Sequence, residues 1–160
     1  MLVKQIPRKP GIYSLIIEKY CSEEIKIGKL GTFHFPRGCY CYTGSALGKN
    51  QFNLQKRLNR HLRPKRKSYW HIDYFLQSEE TKIKQIILAE TSNPLECKIA
   101  EEIEKIPGVK IIAQGFGSSD CKNRCKTHLH YFKNNYQNKI VKQLSQVYNN
   151  LGLKPFILIP

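Results

Sequence analysis

Two alternating stretches, Gly11-Ile12-Tyr13-Ser14-Leu15-Ile16-Ile17-Glu18 and Cys39-Tyr40-Cys41-Tyr42-Thr43-Gly44, precede a basic amphipathic run, Asn53-Leu54-Gln55-Lys56-Arg57-Leu58-Asn59-Arg60-His61. Alternation rich in Ile and Tyr dictates extended chain, and it puts Tyr40 and Tyr42 on one face of their strand and Cys39 and Cys41 on the other. The basic run carries Leu54, Leu58 and Leu62 on one stripe and predicts a helix over Phe52 to Leu62, stopped by Pro64. Arg57 and His61 lie four apart, so they share a face of that helix. Two strands that each carry a tyrosine two residues from a glycine, and a helix with a guanidinium and an imidazole, bring together groups that can hold a phosphate and orient a water.

The remaining chain completes an α+β pattern. Glu24 to Leu30 reads as the partner of the first strand, and Gly31 to Gly38, punctuated at both ends, as a turning segment. His71 to Leu76 predicts a short helical turn, Lys82 to Ala89 a buried strand and Val109 to Ala113 another. Asn93 offers an N-cap with Pro94 at the first helical position and Glu96 three residues on, a capping box for a helix whose apolar face is Leu95, Ile99, Ile103 and Ile106. Gly115 to Ser119 forms a loop. A last amphipathic helix carries Ile140, Leu144, Tyr148 and Leu151, closed by Gly152. The tail from Lys154 to Pro160 is apolar enough to dock as an edge strand or against a partner. The expectation is a single domain with a small, mostly antiparallel sheet flanked by helices. Residues 1–135 form its body, and 136–160 a C-terminal helix and tail packed on it.

A formal charge of +15 on 160 residues calls for a polyanionic partner. The charge is concentrated: Lys56, Arg57, Arg60, Arg63, Lys65, Arg66 and Lys67 fall within twelve residues that hold no acid. Tyr69 and Trp70 follow, stacking groups beside a phosphate-binding face. Nucleic acid is therefore the expected partner. No run of eighteen apolar residues exists and no export signal is visible, so a cytoplasmic protein with no membrane partner is expected. The sequence leaves the oligomeric state open.

Six cysteines without an export signal point to thiols or metal. Cys121, Cys125 and His128 have spacing close to that of structural zinc sites, with His130 or Cys97 as fourth ligand. A disulfide to Cys97 and plain buried thiols are the alternatives.

The order Gly11-Ile12-Tyr13, Tyr42-Thr43-Gly44 and Asn53-Leu54-x-x-Arg57-x-x-x-His61 resembles the GIY-YIG nuclease superfamily. More of the chain is similar to a branch of uncharacterised archaeal and bacterial domains found alone or fused to a DNA-glycosylase-like domain. The matching pieces include Gly38 to Ala46, Arg60-His61-Leu62, Trp70-His71-Ile72-Asp73-Tyr74, Glu96-Cys97, Gly115 to Cys121 and His128-Leu129, over roughly residues 10 to 132. The resemblance implies a Mg²⁺- or Mn²⁺-dependent endonuclease acting on DNA, in repair or in processing of damaged or branched strands. It implies Tyr13 as general base, Tyr42, Arg57 and His61 around the same phosphate, and Glu96 as the metal ligand. A phenol of ordinary pKa, about 10, needs a neighbouring cation to ionise near neutrality, and Arg57 is the candidate. Glu96 fits a capping box equally well without metal. The superfamily joins its two tripeptides closely, whereas Ser14 to Cys41 intervene here, and Thr43 stands where isoleucine is usual. A non-catalytic module that binds DNA or RNA through the same basic face is the other reading, and DNA is favoured over RNA.

Overall fold

The structure, a computed structural model, describes residues 5–48, 52–64, 67–119, 121–133 and 136–160. Strand β1 (Gly11–Lys19) runs through the middle of a six-stranded sheet and is buried almost throughout. The strands β2 (Glu23–Ile27) and β3 (Gly31–Phe35) form a separate hairpin, and β4 (Gly38–Ala46) returns antiparallel to β1. On its other side β1 pairs with β5 (Thr81–Glu90). Outside β4 lie β7 (Leu129–Phe132) and then β6 (Val109–Lys110), and β8 (Phe156–Leu158) closes the far edge on β5. Every neighbouring pair is antiparallel.

Side-chain alternation along β1 splits the core into two layers. Tyr13, Leu15 and Ile17 face α1 (Leu54–Leu62), α2 (His71–Leu76) and the hairpin, where Phe35, Tyr40 and Phe75 pack edge to face. Ile12 and Ile16 face α3 (Glu96–Glu104) and α4 (Gln137–Asn150), whose Ile99, Ile103, Ile140 and Leu144 are fully buried. The fold is α+β, one small domain with a C-terminal helix. Tyr40 and Tyr42 fall on one face of β4, Cys39 and Cys41 on the other, as the alternation requires.

Two glycines allow the close approaches that build the site. Tyr13 stands opposite Gly44 in the β1–β4 register, and a Cβ on Gly44 would lie 2.5 Å from the Tyr13 hydroxyl. A Cβ on Gly11 would meet the Ala89 carbonyl and the Leu54 side chain, each at 2.4 Å, so Gly11 lets α1 rest directly on the sheet. At nine residues α1 is too short to be stable by itself. Asn53 caps it, its side-chain oxygen accepting from Lys56 N at 3.0 Å, and burial of Leu54 and Leu58 contributes about 2 kcal/mol each.

Three expectations are corrected. The segment from Glu24 does not pair with β1: its partner is β3, formed by residues expected only to turn. Gly28, with φ +49°, breaks that segment, and Leu30 N–H closes the turn on the Ile27 carbonyl at 2.9 Å. Second, α3 begins at Glu96, not beside Asn93, because Asn93 and Pro94 are spent in a turn that ends with Leu95 N–H on the Asn93 carbonyl at 3.0 Å. Third, the strand expected from Val109 to Ala113 stops after Lys110. The apolar tail docks as an edge strand, with Ile86, Ile87 and Leu88 of β5 opposite Leu158, Ile157 and Phe156.

Candidate functional site

A cavity of about 600 Å³ opens over one end of β1 and β4. Tyr13, Tyr42, Arg57 and Glu96 all line it, joined by Ser45 from β4 and by Gly117, Ser119 and His128 from beyond α3. These groups come from β1, β4, α1, α3 and the loops after β6.

Tyr13 is 1% exposed, and its Oη lies 2.7 Å from His61 Nε2. His61, 1% exposed as well, does not line this cavity; it stands behind Tyr13, bonded to it, with its ring centroid 6.2 Å from those of Tyr42 and Trp70. It does so because it continues the Leu54–Leu58 stripe of α1 one turn further, on the buried face. The Tyr13 phenol is held well above its ordinary pKa. Burial is the main cause, the neighbouring Tyr42 adds to it, and the opposing pull of Arg57 is outweighed. Arg57 thus pulls the phenol down as expected, but burial outweighs that pull and Tyr13 stays a neutral phenol.

Arg57 is fixed over the Trp70 ring, its Cζ 4.2 Å from the centroid, and Arg60 packs on the same ring at 4.3 Å. Asp73 secures this corner from beneath. Its buried Oδ2 accepts from Arg60 at 2.5 Å and from the backbone N–H of Tyr69 and Trp70 at 2.9 and 2.8 Å. Trp70, expected with Tyr69 as a stacking group, is half-buried and forms cavity wall. His71 lines the cavity too, where its Nδ1 accepts from Gly117 N at 2.8 Å and ties the 115–119 loop to α2.

Glu96 is the only carboxylate on the wall among the described residues. Its Oε1 accepts from the Ser45 hydroxyl, and its Oε2 lies 3.8 Å from His128 Nδ1. As the first residue of α3 it stands at the positive end of a helix, where no capping box forms. The carboxylate points across to β4 instead.

His128 belongs to two groupings at once. Its Nε2 is 3.0 Å from Cys125 Sγ and 3.7 Å from Cys97 Sγ, and Cys121 Sγ is 3.1 Å from Cys97 Sγ. Cys97 and Cys125 are joined as a disulfide here, with Cα atoms 5.5 Å apart. The four ligand atoms all lie within 4.8 Å of one another, so the Cys97, Cys121, Cys125 and His128 set could hold a metal ion such as zinc. Cys97, not His130, completes the set. His130 is turned to the opposite layer, where its Nε2 lies 3.2 Å from Glu104.

Of the basic run, Lys56, Arg63 and Lys67 are exposed and Arg60 is half-buried; Lys65, Arg66 and also Asp120 lie outside the described residues. Tyr69, expected as a stacking group beside the phosphate-binding face, lines the wall, and the sequence reading missed His128 as a cavity residue. No local pattern marks His128 for the cavity wall. Among the described residues no helix is long and apolar enough to cross a membrane.

The chain matches the family described as "Domain of unknown function DUF123" over residues 12–153, and it belongs to that family. No curated protein and no solved structure matches it.

Proposed function

We propose that the protein is a metal-dependent endonuclease of GIY-YIG type that hydrolyses phosphodiester bonds in nucleic acid, DNA before RNA, in repair or in processing of damaged or branched strands. The observation that carries this reading is the convergence of Tyr13, Tyr42, Arg57 and Glu96 on one cavity, with His61 bonded to Tyr13 from behind. A water between the two tyrosines gives a proton to Tyr13 Oη as Tyr13 passes its own to His61 Nε2. The water oxygen forms the new bond to phosphorus, and the bond to the leaving sugar oxygen breaks. For this, His61 carries its proton on Nδ1 in the resting enzyme. Arg57, oriented by Trp70, offers its guanidinium fork to the phosphate oxygens. Glu96 supplies the carboxylate that Mg²⁺ sites use alongside substrate phosphates and water, and the ion, when bound, neutralises charge on the phosphate and leaving oxygen. The remaining role of Ser45 is to hold the Glu96 carboxylate in place.

The test separates chemistry from binding. Labelled duplex, single-stranded, abasic and branched substrates are incubated with Mg²⁺, with Mn²⁺ and with chelator. Cleavage by the wild type should stop in chelator. Arg57→Ala should lose about 10²-fold or more in cleavage with a much smaller loss of affinity. Equal loss of both would favour a non-catalytic binding module.

The Cys97, Cys121, Cys125 and His128 set is proposed to hold structural zinc. With the Cys97–Cys125 pair in its reduced, unlinked form, three thiolates and an imidazole close the coordination sphere and leave no position for a reacting water. His128 Nδ1 would then donate toward Glu96, orienting the ring as partners of metal-bound histidines do. Purified protein should carry about one zinc per chain, and Cys121→Ser should lower Tm more than initial activity. A metal-free protein whose Tm falls on reduction would assign the cluster to a disulfide instead.

A further inference from the structure

The basic run around α1 is not the only cationic element at the cavity. Between and just after two cysteines of the cluster, the chain reads Cys121-Lys122-Asn123-Arg124-Cys125-Lys126, with no acid. Lys122, Arg124 and Lys126 are all exposed, and none is ion-paired with a described residue. Arg124 has φ +50°, a left-handed turn closed by its N–H on the Cys121 carbonyl at 3.1 Å. That costs about 1 kcal/mol for a residue with a Cβ and persists only where the surroundings impose it.

The surroundings do impose it. Cys121 and Cys125, at the two ends of the turn, converge with Cys97 of α3 and with His128. The outgoing chain is also paired to the 115–119 loop, Gly115 N–H on the Lys126 carbonyl at 2.7 Å and His128 N–H on the Phe116 carbonyl at 2.8 Å. The chain that supplies Ser119 and His128 to the cavity wall therefore also carries three exposed cations, just as the chain that supplies Arg57 and Trp70 carries Arg60, Arg63 and Lys67.

We propose that the 121–126 loop is a second phosphate-binding element, that a nucleic-acid backbone crosses the cavity between it and the Arg57, Arg60 and Arg63 side of α1, and that the cysteine–histidine cluster is the pin that presents it. This rests on the reading that the cavity handles nucleic acid. The partner is a polyphosphate backbone because the element offers charge without an apolar surface: its exposed side chains are two lysines, an arginine and an asparagine. Phosphate contacts of this kind bind without regard to sequence and release counterions.

The experiment measures binding of a labelled duplex and a labelled single strand across salt concentrations, with no Mg²⁺ or Mn²⁺ added so that no cleavage occurs, and with chelator and reductant absent. A Lys122→Ala/Arg124→Ala/Lys126→Ala variant should lower the slope of log affinity against log salt by about 2 to 3 for the duplex. It should weaken binding at least tenfold at low salt with Tm unchanged, while Lys122→Arg/Lys126→Arg keeps the full slope. Cys125→Ala should reproduce the loss and add nothing to the triple variant. Should Cys125→Ala fail to fold, the wild type treated with reductant and a strong zinc chelator serves as that arm. A triple variant with the wild-type slope overturns the proposal, and so does a disrupted cluster that leaves the slope intact. If the wild type binds neither nucleic acid, the functional reading itself falls and this inference with it, a result distinct from a wild type that binds without the loop.

Discussion

Tyr13→Phe is expected to slow cleavage by about 10²- to 10⁴-fold while leaving substrate affinity nearly unchanged. The substitution removes one oxygen from a ring that is 1% exposed, so the packing of β1 against α1 survives. What is lost is the group that takes a proton from water and passes it to His61 across 2.7 Å. His61→Ala should cost a similar factor, and the double variant no more than either alone, because two halves of one relay act as a unit. His61→Ala removes a buried ring from beneath the site, so its stability loss is measured alongside. Tyr13→Phe carries the inference: it strands only one buried acceptor, His61 Nε2, at about 1–3 kcal/mol. A Tyr13→Phe enzyme with the wild-type rate would end the relay and leave Tyr13 as a core tyrosine. The pH profile offers a second check. Because burial holds the Tyr13 phenol above its ordinary range, no step near neutrality depends on its phenolate. The same shift has a consequence for stability. A phenol whose pKa is raised on folding contributes fully below its unfolded value of about 10, and that contribution is lost as pH climbs further. Alkaline unfolding of the wild type should therefore be less steep in Tyr13→Phe.

Local features of the chain carried much of this architecture. Period-two alternation in Cys39 to Gly44 sorted two tyrosines from two cysteines because side chains on a strand have no other option. Asn53 and Pro64 bracket α1 for equally local reasons, a side-chain cap and a missing N–H. What the sequence did not disclose is non-local. The segment from Glu24 was paired with β1 on adjacency alone, although Gly28 marked a turn inside it. Asn93-Pro94 and Glu96 satisfied every local rule for a helix start, and tertiary structure overrode them by giving Glu96 a partner on β4. Cys97 lies 24 residues before Cys121, so spacing alone left it level with His130 as fourth ligand, and only the packing of α3 against the 121–128 segment selects it. The burial of His61 could have been seen. The Leu54, Leu58, His61 stripe repeats at i, i+4 and i+7, which places an imidazole in the core beside whatever β1 offers there.

Glu96 decides between the catalytic and the structural account of this pocket, and the two predict different observables. If its carboxylate serves only the start of α3, Glu96→Gln forfeits a charge–dipole interaction of about 0.3–1 kcal/mol, seen as a small drop in Tm with unchanged kinetics. If it holds Mg²⁺ at the scissile phosphate, the loss falls on the transition state. Metal stabilisation there is worth several kcal/mol, and each 1.4 kcal/mol or so is tenfold, so cleavage should fall by at least about 10² with Tm nearly constant. Raising Mg²⁺ or Mn²⁺ should recover part of the rate in Glu96→Gln, since the amide oxygen remains a weak ligand, and none in Glu96→Ala. Ser45→Ala is the control for positioning. It frees the Glu96 carboxylate without removing it, so it should raise the Mg²⁺ concentration needed for half-maximal rate more than it lowers the rate at saturation. A Glu96→Gln protein that cleaves at full rate in Mg²⁺ would return this residue to the helix and leave the cavity as a phosphate-binding surface built by Arg57 and its neighbours.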